Sequence, residues 1–174
     1  MGDFFTTSVL VATAASAVRL ATPYLLAALG ETIGQRSGVL NLGVDGVMML
    51  SAFFSYWTVL ETGNMWLGVL VALLVGLIMG VLYGVITVFF EATQGIGGIG
   101  IFIFGLGFSD LLFRQQVGTP KPIRRLPNIE IPLLSDIPYI GEPLFQRNLL
   151  TYLAFALVPV TVIVLNKTTF GLNI

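Results

Sequence analysis

The few residues able to do chemistry in this 174-residue chain sit inside or beside long apolar runs. Arg19 falls near the middle of one run, and Asp45 lies about one turn into the next. A charge at membrane depth is costly, so each such group is a candidate functional residue. Asn41 and Asp45 stand four apart, which puts them on one face of a helix. Gly43 and Gly46 flank that pair and loosen the start of the helix. Gln94, followed by Gly95, Gly97, Gly98 and Gly100, forms a second flexible start to an apolar helix. Polar groups at a half-broken helix are how many transporters build a path near the membrane midplane. A structural account competes at each position. Arg19 can snorkel or pair with Asp45, and Asn41 can simply cap a helix.

What is missing narrows the chemistry further. The chain has no His and no Cys, so the usual zinc and haem ligands, the imidazole base and any disulfide framework are absent. The glycines after Gln94 are not a dinucleotide fingerprint, because no strand precedes them. The phosphate-cradling G-x-x-x-x-G-K-[ST] pattern does not occur. No nucleophile–base pair or metal cluster can be assembled, so an enzyme is not expected. A net charge of −1 gives no footing for nucleic acid.

The elements that must hold these residues are membrane helices. Hydrophobic residues make up 56% of the chain and charged residues only 10%. A soluble domain carries about 25% charged residues, so this chain could not cover a water-facing surface. A spanning helix needs roughly 20 apolar residues. Five segments approach that: 8–29, 42–60, 65–90, 95–113 and 149–165, with kinks expected at Pro23 and Pro159. The fold class expected is an all-α integral membrane protein, a polytopic bundle of about five helices in a single domain over 1–174. A broken or re-entrant helix is expected near 40–60. Turns at 30–41, 61–64 and 91–94 are short, so neighbouring helices should run antiparallel. The stretch 114–148 holds Pro120, Pro122, Pro127, Pro132, Pro138 and Pro143 and reads as an extended extramembrane loop. Ala72, Gly76, Gly80 and Gly84 recur every four residues, a packing face inside one bundle or at a subunit interface.

The segment from Leu26 to Leu50 goes further. It contains Leu29-Gly30-Glu31, Arg36-Ser37-Gly38, Asn41-Leu42-Gly43 and Asp45-Gly46. That order closely resembles the first block of permeases from bacterial ABC importers for simple sugars and nucleosides, within the ribose and branched-chain amino-acid permease family. Residues 133–141 are similar to the extracytoplasmic loop of the nucleoside-type branch. Thr168 to Leu172 resembles the start of the segment that contacts the ATPase.

The resemblance implies a membrane-spanning permease subunit carrying a nucleoside or simple sugar by alternating access. Asn41, Asp45 and Gln94 would line the translocation path, with Glu31 and Arg36 near its inner mouth. Phe170 and Gly171 would begin the ATPase contact, and Gly43, Gly46, Gly97 and Gly98 would give helix flexibility. The chain itself would bind no cofactor, since ATP and magnesium would sit on a separate ATP-binding subunit. The other partners implied are a second permease subunit, an extracytoplasmic solute-binding protein and the lipid bilayer. The location implied is the bacterial cytoplasmic (inner) membrane. Permeases of this kind are far longer, so the chain corresponds to an N-terminal half and is not expected to transport alone. The family places 114–148 outside, whereas the positive-inside count, with five Lys/Arg in that loop, favours the reverse. An ion-coupled secondary transporter and a non-transporting assembly subunit are the rival readings.

Overall fold

The chain ends at Ile174, and its computed structural model describes residues 6–123, 125–132, 135, 137, 139 and 141–174, with only the backbone of Glu142. Apolar runs of about 20 residues satisfy their backbone in lipid within the segment itself, as α-helices. Helix α1 covers Thr7–Arg36, α2 Val44–Thr62, α3 Met65–Gly84, α4 Gln94–Gln116 and α6 Leu149–Lys167. Short helices α5 (Gly141–Phe145) and α7 (Thr169–Asn173) and strands β1 (Asn128–Glu130) and β2 (Gln146–Asn148) complete the set. Among the described residues four helices are long and apolar enough to cross a membrane: α1, α3 with its extension to Phe89, α4 and α6. Helix α2, the fifth expected span, is the exception: Asp45, Ser51, Ser55, Thr58 and Glu61 dilute its apolar character.

The helix ends follow local chemistry. Gly63 takes the left-handed conformation (φ 68°) and its N–H returns to the Val59 carbonyl, closing α2. The Asn64 side chain accepts from the Trp66 and Leu67 amides and opens α3. Two residues therefore reverse the chain. Beyond Gly84, α3 widens into a π-helical stretch over Val85–Phe89, and Glu91 (φ 52°) ends it. Pro23 and Pro159 sit inside helices that continue through them.

Two compact units divide the chain, one drawn from residues 1–30 and 126–174, the other 31–125. In the second unit α2 packs against both α3 and α4. Its core is Leu50, Met79, Tyr83 and Ile101. A helix flanked on two sides by protein needs less apolar surface for lipid, which explains why α2 tolerates its polar residues. In the first unit α1 meets α6 through Thr22 and Thr151, whose hydroxyls lie 3.3 Å apart and buried. Strands β1 and β2 pair antiparallel, Ile129 opposite Arg147. The Tyr152 hydroxyl donates to the Ile129 carbonyl and accepts from the Arg147 amide, tying that hairpin to α6. The loop expected to be extended thus carries a strand pair and one helical turn. Of the 133–141 stretch, residues 133, 134, 136, 138 and 140 lie outside the described residues.

Candidate functional site

The most polar feature of the second unit is the connection between α1 and α2. It is shorter than the sequence suggests, because α1 continues to Arg36 and carries Glu31 and Arg36 on its last turns. The helical break therefore falls at residues 37–43, and α2 is continuous beyond it. Unwound backbone beside apolar helices must find partners within the protein. It finds them in four side chains. Gln94 Oε1 accepts from the Leu40 amide at 2.8 Å, and Gln94 Nε2 donates to the Gly38 carbonyl at 3.1 Å. The Tyr83 hydroxyl donates to the Leu40 carbonyl at 2.5 Å and lies 3.2 Å from the Gln94 carbonyl. Glu31 Oε1 accepts from the Asn41 amide at 3.0 Å and from Gln35 at 3.1 Å. Asn41 Oδ1 accepts from the Gly43 amide at 2.8 Å, an Asx turn leading into α2. Gly38 adopts φ 82°, a conformation that favours glycine.

This geometry redistributes the roles expected from sequence. Glu31, Asn41 and Gln94 come together, and each spends polar atoms on holding backbone. Asp45 sits apart in the first turn of α2, exposed, where a carboxylate complements the helix dipole. Arg36 is exposed in the last turn of α1, the favourable end for a cation. Arg19 is exposed on α1. Tyr83 is only 4% exposed and was not singled out by its position in an otherwise chargeless run. A buried tyrosine hydroxyl needs a partner, which is a readable signal, but its partner 43 residues away is not.

The glycines also change meaning. Gly43, Gly46 and Gly98, expected to give flexibility, are where α2 and α4 touch backbone to backbone. A Cβ on Gly46 would lie 2.6 Å from the Ile101 carbonyl oxygen, and one on Gly98 would lie 2.8 Å from the Leu42 nitrogen. A Cβ on Gly105 would collide with the Gly46 carbonyl. Gly97 has a looser fit, with Ile86 Cγ2 at 3.3 Å. Residues 94–116 are helical throughout; near the start of α4 Gly98 is tightly packed, while Gly95 and Gly100 meet nothing within 4 Å. The four-residue stripe on α3 behaves oppositely. Gly76 has only Ser51 Oγ at 3.8 Å, while Gly80 and Gly84 meet nothing within 4 Å. The close packing lies elsewhere on that helix, at Gly68, whose Cβ would collide with Val59.

At the far end of the chain α7 folds back on α6. Thr168 caps α7 by accepting from the Gly171 amide, and a Cβ on Gly171 would collide with the Val164–Leu165 backbone. Gly171 is thus required by the reversal, which leaves Phe170 (58%) and Leu172 (66%) displayed outward.

Comparison with known proteins agrees with this architecture. Residues 13–174 match the family described as the permease component of the branched-chain amino acid transport system. The chain is 33% identical over 161 residues to the TsgC13 protein of Haloferax volcanii, named provisionally as a glucose ABC transporter permease; the match covers 90% of this chain and 48% of that protein. It is 32% identical over 167 residues to the guanosine ABC transporter permease NupQ of Bacillus subtilis, covering 88% and 51%. The nucleoside ABC transporter permease NupC of Lactococcus lactis is 30% identical over 162 residues, again covering 88% and 51%. The chain thus spans about half the length of these curated relatives. No solved structure matches significantly. With a family match from residue 13 to the last residue and apolar helices to fit it, the chain is a multi-pass membrane protein that belongs to the branched-chain amino acid transport system permease family.

Proposed function

We propose that this chain forms part of the membrane-spanning permease subunit of an ABC importer, carrying a nucleoside or simple sugar across a prokaryotic cytoplasmic membrane. The observation that carries the reading is the family match over 13–174, with relatives named for glucose, guanosine and nucleoside transport. Those names favour neither an ion-coupled carrier nor a silent assembly subunit. ATP and magnesium would be held by a separate ATP-binding subunit, and a second permease subunit and an extracytoplasmic binding protein would complete the importer.

Within that assembly Asp45 is the path residue, because its carboxylate is exposed just beyond the pinned segment. Glu31, Asn41, Gln94 and Tyr83 position it by fixing the backbone that leads into α2. Helix α7 is the contact with the ATPase. Its reversal at Gly171 fixes an exposed apolar pair, Phe170 and Leu172, at the end of α6, a shape suited to insertion into a groove on a soluble partner.

The test is uptake by the full-length permease reconstituted with its ATPase and binding protein. Labelled guanosine and glucose should be compared with and without ATP. ATP-dependent uptake of one solute is expected, and Asp45→Asn should lower it severalfold while leaving the assembly intact. Uptake driven by an ion gradient without ATP would overturn the importer reading. Undiminished uptake by Asp45→Asn would remove Asp45 from the path.

A further inference from the structure

Helices α2 and α4 run side by side from their contact at Gly46 and Gly105 to a ring contact between Tyr56 and Phe113, 6.0 Å between centroids. A cleft of about 290 Å³ opens there, lined by Met49, Phe53 and Tyr56 from α2 and by Leu106, Asp110 and Phe113 from α4. These positions share the spacing i, i+4, i+7, the seam along which two helices normally interdigitate. Here a cleft remains along the seam. Phe53, 5% exposed, forms the floor, while Met49 (49%) and Leu106 (37%) remain open at the sides.

The polar groups around the cleft are already engaged. The Tyr56 hydroxyl donates to the Lys121 carbonyl and accepts from the Lys121 amide, both at 2.8 Å. Ser109 donates to the Leu106 carbonyl of its own helix at 3.0 Å. Asp110 pairs with Arg114 at 2.9 Å. A sugar or nucleoside would leave its hydroxyls without partners in such a space, at a cost that hydrogen bonds would have to offset. An apolar chain would not.

The mouth is different. Arg114 follows the lining residue Phe113, and the Tyr56 clamp fixes Lys121 at the same end. The Lys121 ammonium has no carboxylate partner among the described residues, and the Arg114 side chain is 76% exposed beside its single partner. The mouth therefore offers two cationic side chains, one of them shared with Asp110. It lies at the end of a membrane-crossing helix, the depth at which lipid headgroups sit.

We propose that the α2–α4 cleft is a binding site for an anionic phospholipid, one acyl chain lying along Phe53 and Leu106 and the phosphate held by Lys121 and Arg114. The site depends on the membrane setting and not on the importer reading, so the two can fail separately. Basic pockets between membrane helices recognise anionic headgroups in this way.

The experiment titrates the purified full-length protein in detergent with phosphatidylglycerol and with phosphatidylcholine of matched chains, counting bound lipid by native mass spectrometry. Phosphatidylglycerol should bind about tenfold more tightly, as expected for two surface cations, one half-neutralised. Lys121→Gln combined with Arg114→Gln should erase the preference while leaving chain-dependent binding of both lipids. Asp110→Asn should strengthen phosphatidylglycerol binding by freeing Arg114, and Ala52→Trp should fill the cleft and displace both lipids. Circular dichroism would confirm that each variant remains helical. Equal binding of the two lipids, full displacement by inorganic phosphate or guanosine, or indifference to Ala52→Trp would each overturn the proposal.

Discussion

Gln94 shows how one side chain can serve two unpaired backbone groups at once. Its amide is both donor and acceptor, so it satisfies the Gly38 carbonyl and the Leu40 amide together. Gln94→Leu keeps the bulk and strands both groups. Leaving a buried backbone group unpaired costs about 1–3 kcal/mol, less where water can reach it. We therefore expect Gln94→Leu to lower the melting temperature of the full-length protein in detergent, and Gln94→Glu to do so less, since a carboxylate still accepts from Leu40. Unchanged melting for Gln94→Leu would mean that the 37–43 segment is held by something else. Sequence singled out Gln94 and Asn41 as polar interruptions of apolar runs, and the family resemblance added Glu31. It could not show that their partners were main-chain atoms, because that depends on which segments meet.

At the scale of the helix, the glycines separate into two classes that look identical in sequence. Gly46 and Gly105 lie where α2 and α4 cross with no room for a methyl group. Gly80 and Gly84 occupy a regular four-residue stripe facing open space. Overpacking a close contact costs about 1–3 kcal/mol, whereas a surface substitution is usually within about 0.5 kcal/mol. Gly105→Ala should therefore destabilise the protein clearly in thermal unfolding, and Gly80→Ala should not. Equal effects would show that the α2–α4 crossing is not the tight one, or that Gly80 packs against another part of the full-length protein. The stripe on α3 was the more regular pattern, yet regular spacing only shows that small residues share a face. It does not say whether another helix comes there.

For the molecule as a whole, loop charge and proposed function give opposite orientations for α6. Five Lys and Arg residues in the 114–148 loop argue for the cytoplasm, while the function proposed above, with α7 on the ATPase, requires the outside. These 174 residues contain no cysteine, so a thiol introduced among them is not confused with a native one in the same segment. Ile129→Cys lies in β1 and Phe170→Cys in α7, one on each side of α6. Both native side chains are well exposed. In intact cells a membrane-impermeant maleimide should modify Ile129→Cys and spare Phe170→Cys until the membrane is opened. The reverse pattern would put the hairpin inside and would remove α7 as the ATPase contact.

Composition and the lengths of the apolar runs were sufficient to fix a helical membrane protein, because lipid leaves the backbone so few choices. The block from Glu31 to Gly46 was sufficient to point to the permease family, since its residue types occur in a fixed local order. Local order also sets the helix ends at Gly63, Asn64 and Asn148, where a cap acts over two or three residues. Only the tertiary structure decided what the polar residues do. Tyr83 and Gln94 meet the 37–43 segment across 43 to 56 residues of chain, and the cleft beside Tyr56 exists only where side chains of α2 and α4 come together. Those contacts depend on which helix faces come together, and an apolar run carries almost no record of that.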